Sequence, residues 1–314
     1  MFSKTAWPLA AALCLATALA GSAGAQQQQY IPLVSKGFQH QFWQAVKSGA
    51  EQAGNDYNVR ITFEGPETEA MVDKQIDMLS SALAKHPAAI GFAALDSKAA
   101  IPLLKKAQAA KIPVIAFDSG VDSDIPVTTA TTDNKAAAAL AADKMAQLIG
   151  DSGEVALVVH DQTSRTGIDR RDGFVDRIKS AHPNVKVVSV QYGAGDHLKS
   201  TEIAKSMLQA YPNLKGIFGA NEGSAAGVVN AARETHRKIV VIGYDSGKQQ
   251  KDAIRDGIEA GAITQNPVGI GYKTVEAAVK ALKGEKLPKV IDTGFYWYDK
   301  TNIDDPKIAA VLYD

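Results

Sequence analysis

The sequence predicts an α/β protein: two Rossmann-like lobes, each a parallel sheet flanked by helices, joined by a multi-strand hinge. Three observations carry that prediction. First, beyond residue 25 short aliphatic runs alternate with amphipathic runs almost without pause, the rhythm of parallel strands covered by helices on both faces. Second, one strand signal occurs twice. Residues 112–120 read Ile-Pro-Val-Ile-Ala-Phe-Asp-Ser-Gly and residues 239–247 read Ile-Val-Val-Ile-Gly-Tyr-Asp-Ser-Gly. Each is an aliphatic run too short for a helix, as in a buried parallel strand, and each ends on aromatic-Asp-Ser-Gly. Third, extended stretches at 122–132, 262–266 and 290–297 break the rhythm. Three crossings between lobes leave both lobes discontinuous in sequence, an arrangement that suits hinge closure around a ligand.

Taken in order, strands are expected at 30–34, 59–64, 89–93, 113–117, 154–159, 186–191, 216–219 and 240–244. Amphipathic helical runs lie between them, among them 69–84, 101–110, 135–149 and 201–210, with a late helix at 270–282. The Ala-rich run 135–149 is a strong helix former. The crossings assign 26–131 plus 266–293 to one lobe and 132–265 plus 294–314 to the other. In open α/β sheets ligands sit beyond the carboxyl ends of the strands, so the repeated tips aim Asp118 and Asp245 at a shared cleft. Capping of the next helix is the alternative role for either carboxylate.

Residues 1–25 read as a secretory signal. Lys4 is the charged start, 9–19 is an Ala/Leu run too short to span a bilayer, and Ala23-Gly24-Ala25 is a small-x-small cleavage site. Cys14 is the single cysteine, and the mature chain expected from Gln26 has none, which suits a bacterial periplasm. The chain carries 34 basic and 34 acidic residues, and loss of Lys4 leaves a net charge of −1. Without a basic stripe, nucleic acid is excluded as a partner.

Several motifs stand in order along the chain. They are Gln39-His40-Gln41-Phe42-Trp43 at the first helix, Phe117-Asp118-Ser119, Thr132-Asp133-Asn134 and Arg170-Arg171-Asp172-Gly173-Phe174. Phe218-Gly219-Ala220-Asn221-Glu222, Gly243-Tyr244-Asp245-Ser246 and Ile263-Thr264-Gln265 complete the set. With them the mature chain resembles, over nearly its whole length, the type I periplasmic sugar-binding proteins, the ribose-binding family of ABC importers. The resemblance implies a monomer that closes on a monosaccharide or polyol and then docks on an ABC permease in the inner membrane. A receptor read by a membrane chemoreceptor is the alternative, and a secreted sugar-acting enzyme a more distant one.

A sugar needs charged or amide groups for its hydroxyls and flat aromatic walls for its C–H faces. The resemblance assigns the walls to Phe42 and Trp43, with membership of the lobe core as their other role. Asp118 and Asp245 are the hydroxyl acceptors, and Tyr244 is either a third face or core. Arg170 is the guanidinium ligand, Arg171 beside it a surface residue, and Arg165 a second candidate. Asn221 and Gln265 are the amide ligands, with Gln265 also at the hinge. Thr132 is a weaker match, and Asp133 and Asn134 are expected to cap the following helix. The departures are as informative. Ala93 replaces an Asn, Ser119 an Arg, Gly195 an aromatic residue and His40 an Asn. Unmet buried hydroxyls cost about 1–3 kcal/mol each, so the expected ligand is not ribose. Small side chains at Ala93 and Gly195 are expected to admit a bulkier sugar.

Other chemistries find no support in the sequence. No Gly-rich loop ends in Gly-Lys-Ser/Thr, and Gly269-Ile270-Gly271 lacks the third glycine of a dinucleotide fingerprint. Tyr244 occupies the place of the first glycine of a nucleophile elbow. His40, His86, His160, His182, His197 and His236 are scattered without zinc-site spacing, so neither metal nor cofactor is expected. A lactose-repressor-type regulator shares the lobe architecture, but the signal segment and the absence of N-terminal DNA-binding helices argue against it.

Overall fold

The computed structural model describes residues 1–3 and 28–313; residues 4–25 of the expected signal segment, with its cleavage site, lie outside them. The chain first builds β1 (Tyr30–Val34), α1 (Gln41–Asp56), β2 (Arg60–Glu64), α2 (Val72–Ala84), β3 (Ile90–Phe92), α3 (Ile101–Ala109), β4 (Val114–Phe117) and β5 (Thr128–Thr131). It then enters a second lobe with α4 (Asn134–Ile149), β6 (Gly153–Val159), α5 (Arg165–Ala181), β7 (Val185–Tyr192) and α6 (His197–Ala210). That lobe continues through β8 (Leu214–Gly219), α7 (Glu222–Thr235), β9 (Val240–Tyr244), α8 (Lys248–Arg255) and β10 (Gly261–Gln265). The chain returns for α9 (Pro267–Leu282) and β11 (Val290–Asp292), and finishes with β12 (Phe295–Tyr298) and α10 (Pro306–Ala309).

Two six-stranded sheets result, in the orders β11-β5-β4-β3-β1-β2 and β12-β10-β9-β8-β6-β7. All pairings are parallel except β10 with β12. The parallel strands are buried on both faces, which is why β1, β3, β4 and β6 read as continuous apolar runs rather than alternating ones. The chain passes between the sheets at Thr132–Asp133, at Asn266 and at Thr293–Gly294. The first crossing thus falls at the very end of the extended stretch 122–132, after residues 128–131 have paired as β5 in the first sheet.

One core sits under each sheet face. In the first lobe, Ile31, Leu33, Val46, Ile115 and Phe117 pack with Ile270 and Val275 of α9. Gly49 of α1 and Gly271 of α9 bring these two helices together, since a β-carbon on either would strike backbone of the other. In the second lobe the alanines of α4 pack on Val155, Leu157, Phe174 and Phe218, so the Ala-rich run serves close helix–sheet contact as well as helix propensity. Helix α2 begins at Val72 and not at residue 69: Glu69 is held outside it by a bond from its N–H to Gln39 Oε1. No helix among the described residues is long and apolar enough to cross a membrane.

Candidate functional site

The carboxyl ends of both sheets face one another across a narrow, closed-down cavity lined by Lys36, His40, Phe42, Trp43, Glu69, Asp118, His160, Arg170, Asn221, Asp245 and Gln265. The repeated motif supplies its two facing carboxylates. Asp118 follows β4 with φ +54° and Asp245 follows β9 with φ +80°, the left-handed region that disfavours a residue with a β-carbon by about 1–2 kcal/mol. The surrounding bonds hold that strain: Asp118 N–H donates to Ala130 O (2.9 Å), and Asp245 N–H to Ile263 O (2.6 Å).

In the second lobe each polar group is oriented by another. Gln265 Nε2 donates to Asp245 Oδ1 (2.7 Å), and Thr132 Oγ1 donates to Gln265 Oε1 (2.9 Å). Asp245 Oδ2 accepts from Glu222 N–H (3.0 Å) and lies 4.0 Å from Arg170 Nη1. Arg170 donates through Nε to Asn134 Oδ1 (2.7 Å) and through Nη1 to Ala220 O (2.9 Å), while its guanidinium stacks 3.7 Å above the Tyr244 ring. Tyr244 hydroxyl donates to the same Asn134 oxygen (3.0 Å). Asn221 caps α7 with Oδ1 (2.9 Å from Ser224 N), which leaves its amide nitrogen for the cavity.

In the first lobe Phe42 and Trp43 meet edge to face (5.0 Å) and Trp43 contacts Phe117 (6.4 Å). Both rings are core and cavity wall at once. Trp43 Nε1 donates to Glu69 Oε1 (2.8 Å), a buried carboxylate that also lies 4.0 Å from His40 Nε2. Lys36 Nζ crosses to the other lobe and donates to Thr166 Oγ1 (3.1 Å), which His160 Nε2 also contacts (3.1 Å).

Charge is unevenly matched in this cavity. Burial raises Asp118 to about 6, against the pull of Lys36 and Arg170. Burial is the largest influence on Glu69 and opposes its charge, yet Lys36, the neighbouring imidazoles and the Trp43 N–H bond together outweigh it and hold that carboxyl low. Burial together with Lys36 and Arg170 keeps His160 well below the ordinary imidazole range, so its ring is neutral. Burial also disfavours the Arg170 charge, but Tyr244, Asp245 and Asp118 reverse that.

Eight of the twelve residues picked from the sequence line the cavity; four do not. Ser119 is fully buried away from it, because neighbouring side chains at a strand tip turn to opposite sides and Asp118 takes the cleft. Tyr244 lies beneath Arg170 and positions it. Thr132 positions Gln265. Arg165 lies on the rim, a third exposed, paired with Asp169 (2.5 Å) and Asp122 (3.7 Å). Asp133 caps α4 as expected, but Asn134 instead braces Arg170. The space expected at Gly195 is filled: a β-carbon there would lie 3.1 Å from Glu69 Oε2 and 3.1 Å from Asn221 Nδ2. Ala93 is buried core, its carbonyl bonded to Gln75 Nε2. Three lining residues escaped the sequence reading, Lys36, Glu69 and His160. His160 directly follows β6 and Lys36 stands two residues past β1, so the strand-tip rule applied to every strand would have found both.

The two lobes are in contact. Glu222, at the start of α7, accepts from the N–H groups of Gln41 and Phe42 (3.1 Å each) at the start of α1, a helix with no side-chain cap of its own. Gln41 Oε1 in turn accepts from Lys248 N–H (2.8 Å) at the start of α8, which also lacks one. Each lobe thus caps a helix of the other. Gln39 Nε2 reaches Gly195 O (3.1 Å), and Ser97 N–H reaches Thr163 O (3.0 Å).

Comparison with known proteins agrees with this architecture. A D-ribose/D-allose-binding protein of Pseudomonas aeruginosa is 28% identical over 265 residues, 81% of this chain and 82% of that protein. A carbohydrate-transporter solute-binding protein of Agrobacterium radiobacter, solved with D-arabinose, superposes with TM-score 0.88 at 33% identity, covering 92% of this chain and all of that one. An ABC-transporter solute-binding protein of Agrobacterium vitis with bound D-fucose gives 0.87 at 34%, covering 90% of this chain and all of that one. The model of the periplasmic binding protein domain matches residues 31–286, and with two parallel-sheet lobes closed over a buried polar cleft the chain belongs to that family.

Proposed function

We propose that this chain is the solute-binding component of an ABC importer, that it works in the periplasm as a monomer, and that it closes on a monosaccharide or related polyol other than ribose. The observation that carries the reading is the interlobe cavity. Two aromatic walls and an array of carboxylate, amide, guanidinium and ammonium groups converge on one buried space between the lobes. A carboxylate accepts from adjacent hydroxyls, and the amides and cations donate to ring and hydroxyl oxygens. Against ribose stand the replaced groups: Ala93 and Ser119 occupy the places where the ribose-binding resemblance implies an Asn and an Arg, while Lys36, Glu69, His40 and His160 line the cavity. Ligand contacts from both lobes exist together only in the closed form, so the ligand favours closure by its differential affinity. An inner-membrane permease then reads that closed form, and a chemoreceptor would read the same surface. The chain performs no chemistry on the sugar.

The test is a thermal-shift screen of the protein from Gln26 onward against D-ribose, D-allose, D-arabinose, D-fucose and polyols. A ligand at 100 times its Kd adds about 2.7 kcal/mol of stability. Stabilisation by ribose alone refutes the specificity. Failure of every sugar, together with no sugar released on denaturation, refutes the function, and turnover seen by mass spectrometry makes the protein an enzyme.

A further inference from the structure

His160 is 2% exposed and lines the cavity, and its Nδ1 is a buried atom with no hydrogen-bond partner among the described residues. Which kind of partner it takes follows from a proton count around Thr166. Three groups meet Thr166 Oγ1 at 3.1 Å: Lys36 Nζ, His160 Nε2 and Ser164 Oγ. The ammonium of Lys36 only donates. Ser164 hydroxyl spends its single proton on the Asp161 carboxylate (2.7 Å) and already accepts from Gly167 N–H (3.1 Å). Toward Thr166 it therefore acts as an acceptor and takes the Thr166 proton. Thr166 Oγ1 is left to accept from Lys36 and from His160, so the His160 proton resides on Nε2. This network, and not an observed hydrogen, assigns the tautomer. Nδ1 then carries a bare lone pair.

We propose that His160 is a specificity-determining residue: its Nδ1 accepts the proton of one hydroxyl of the bound monosaccharide. Lys36, anchored on the same Thr166 oxygen, has two further N–H bonds beside it. Together they offer an acceptor and a donor, the complement of a hydroxyl and of neither a deoxy carbon nor a carbonyl. Because Lys36 comes from the first lobe and His160 from the second, the pair assembles only on closure. The inference rests on the sugar reading above and deepens it: the ligand carries a hydroxyl at this edge of the site, and its deoxy counterpart is rejected.

The test compares wild type, His160→Leu and His160→Asn by calorimetry. The probe is whichever of D-allose, D-arabinose and D-fucose stabilises wild type most, together with its monodeoxy analogues. Leu leaves the sugar hydroxyl unpaired and is expected to weaken the parent sugar roughly 10- to 100-fold. It should also erase the discrimination against one analogue. Asn, which can present an oxygen near the Nδ1 position, should recover part of the loss. A Leu variant that binds parent and analogues as wild type does overturns the proposal while leaving the sugar reading intact. Imidazole ¹⁵N shifts of the wild-type protein test the tautomer without any ligand: a His160 ring protonated at Nδ1 overturns the assignment. Wild type that binds none of the probes defeats the sugar reading itself, and with it the hydroxyl partner.

Discussion

Replacing Glu222 by Ala removes an interlobe cap without touching the walls or amides of the cavity. The carboxylate accepts from two backbone N–H groups at 3.1 Å and from Tyr313 hydroxyl at 3.3 Å, and Tyr313 hydroxyl accepts from Ser246 N–H (3.2 Å). In the open form water satisfies the start of α1, so the relevant magnitude is that of a lost helix cap, about 1–2 kcal/mol, rather than that of buried orphan groups. That energy belongs to the closed state alone. The variant should therefore bind its sugar about 5- to 30-fold more weakly. The midpoint of unliganded unfolding should move much less, because the lobes retain their separate cores. Calorimetry on wild type, Glu222→Ala and Glu222→Gln, with small-angle scattering of the unliganded and liganded forms, measures this. Gln keeps an acceptor oxygen and should fall between the other two. Affinity within twofold of wild type would refute the view that trans-capping contributes to closure. A loss of unliganded stability equal to the loss in binding would instead make Glu222 an ordinary structural residue.

Other expectations follow from the same geometry. Ligand hydroxyls favour ionised Asp118, which burial raises to about 6, so affinity should rise with pH through that value and level off above it; a Kd flat from pH 5 to 8 contradicts this. Asp118→Ala should abolish measurable binding in the same titration. Glu259 is buried, takes one bond from Gln250 Nε2 (3.3 Å) to Oε1, and is raised by burial to about 8 from an ordinary 4.5. Its folded pKa lies above the unfolded one, so stability is greatest below about pH 4.5 and is lost as pH rises toward 8, at about 1.4 kcal/mol per pKa unit. The melting-temperature advantage of Glu259→Gln over wild type should accordingly widen from pH 5 to pH 8; parallel curves would refute it. The rim pair Arg165–Asp122 is about a third exposed on each side, and Arg165→Ala should change Kd by no more than about fivefold, since such pairs contribute about 0–1 kcal/mol.

The two-lobe α/β architecture and its two central carboxylates could be read from the amino-acid order, because apolar strand runs and their polar tips are local signals. Asp118 and Asp245 were legible as polar strand tips, whereas Asn221, Gln265, Phe42 and Trp43 were picked out by the family resemblance and not by local pattern. Tertiary structure alone decided which neighbour at each tip faces the ligand. Ser119 and Tyr244 flank the two carboxylates in sequence and point elsewhere. Arg165 and Arg170 stand five residues apart, about 140° around a helix of 3.6 residues per turn, so only one can face the cleft, and periodicity does not say which. Lys36 meets Thr166 across 130 positions and Trp43 meets Glu69 across 26. Such encounters depend on how two separately folded sheets close on one another, and Glu69 adds a backbone that leaves the helix its sequence favours. The cavity's chemistry is the product of that closure: groups that read as isolated charges along the chain become donors and acceptors for one small ligand when the lobes exclude water from between them.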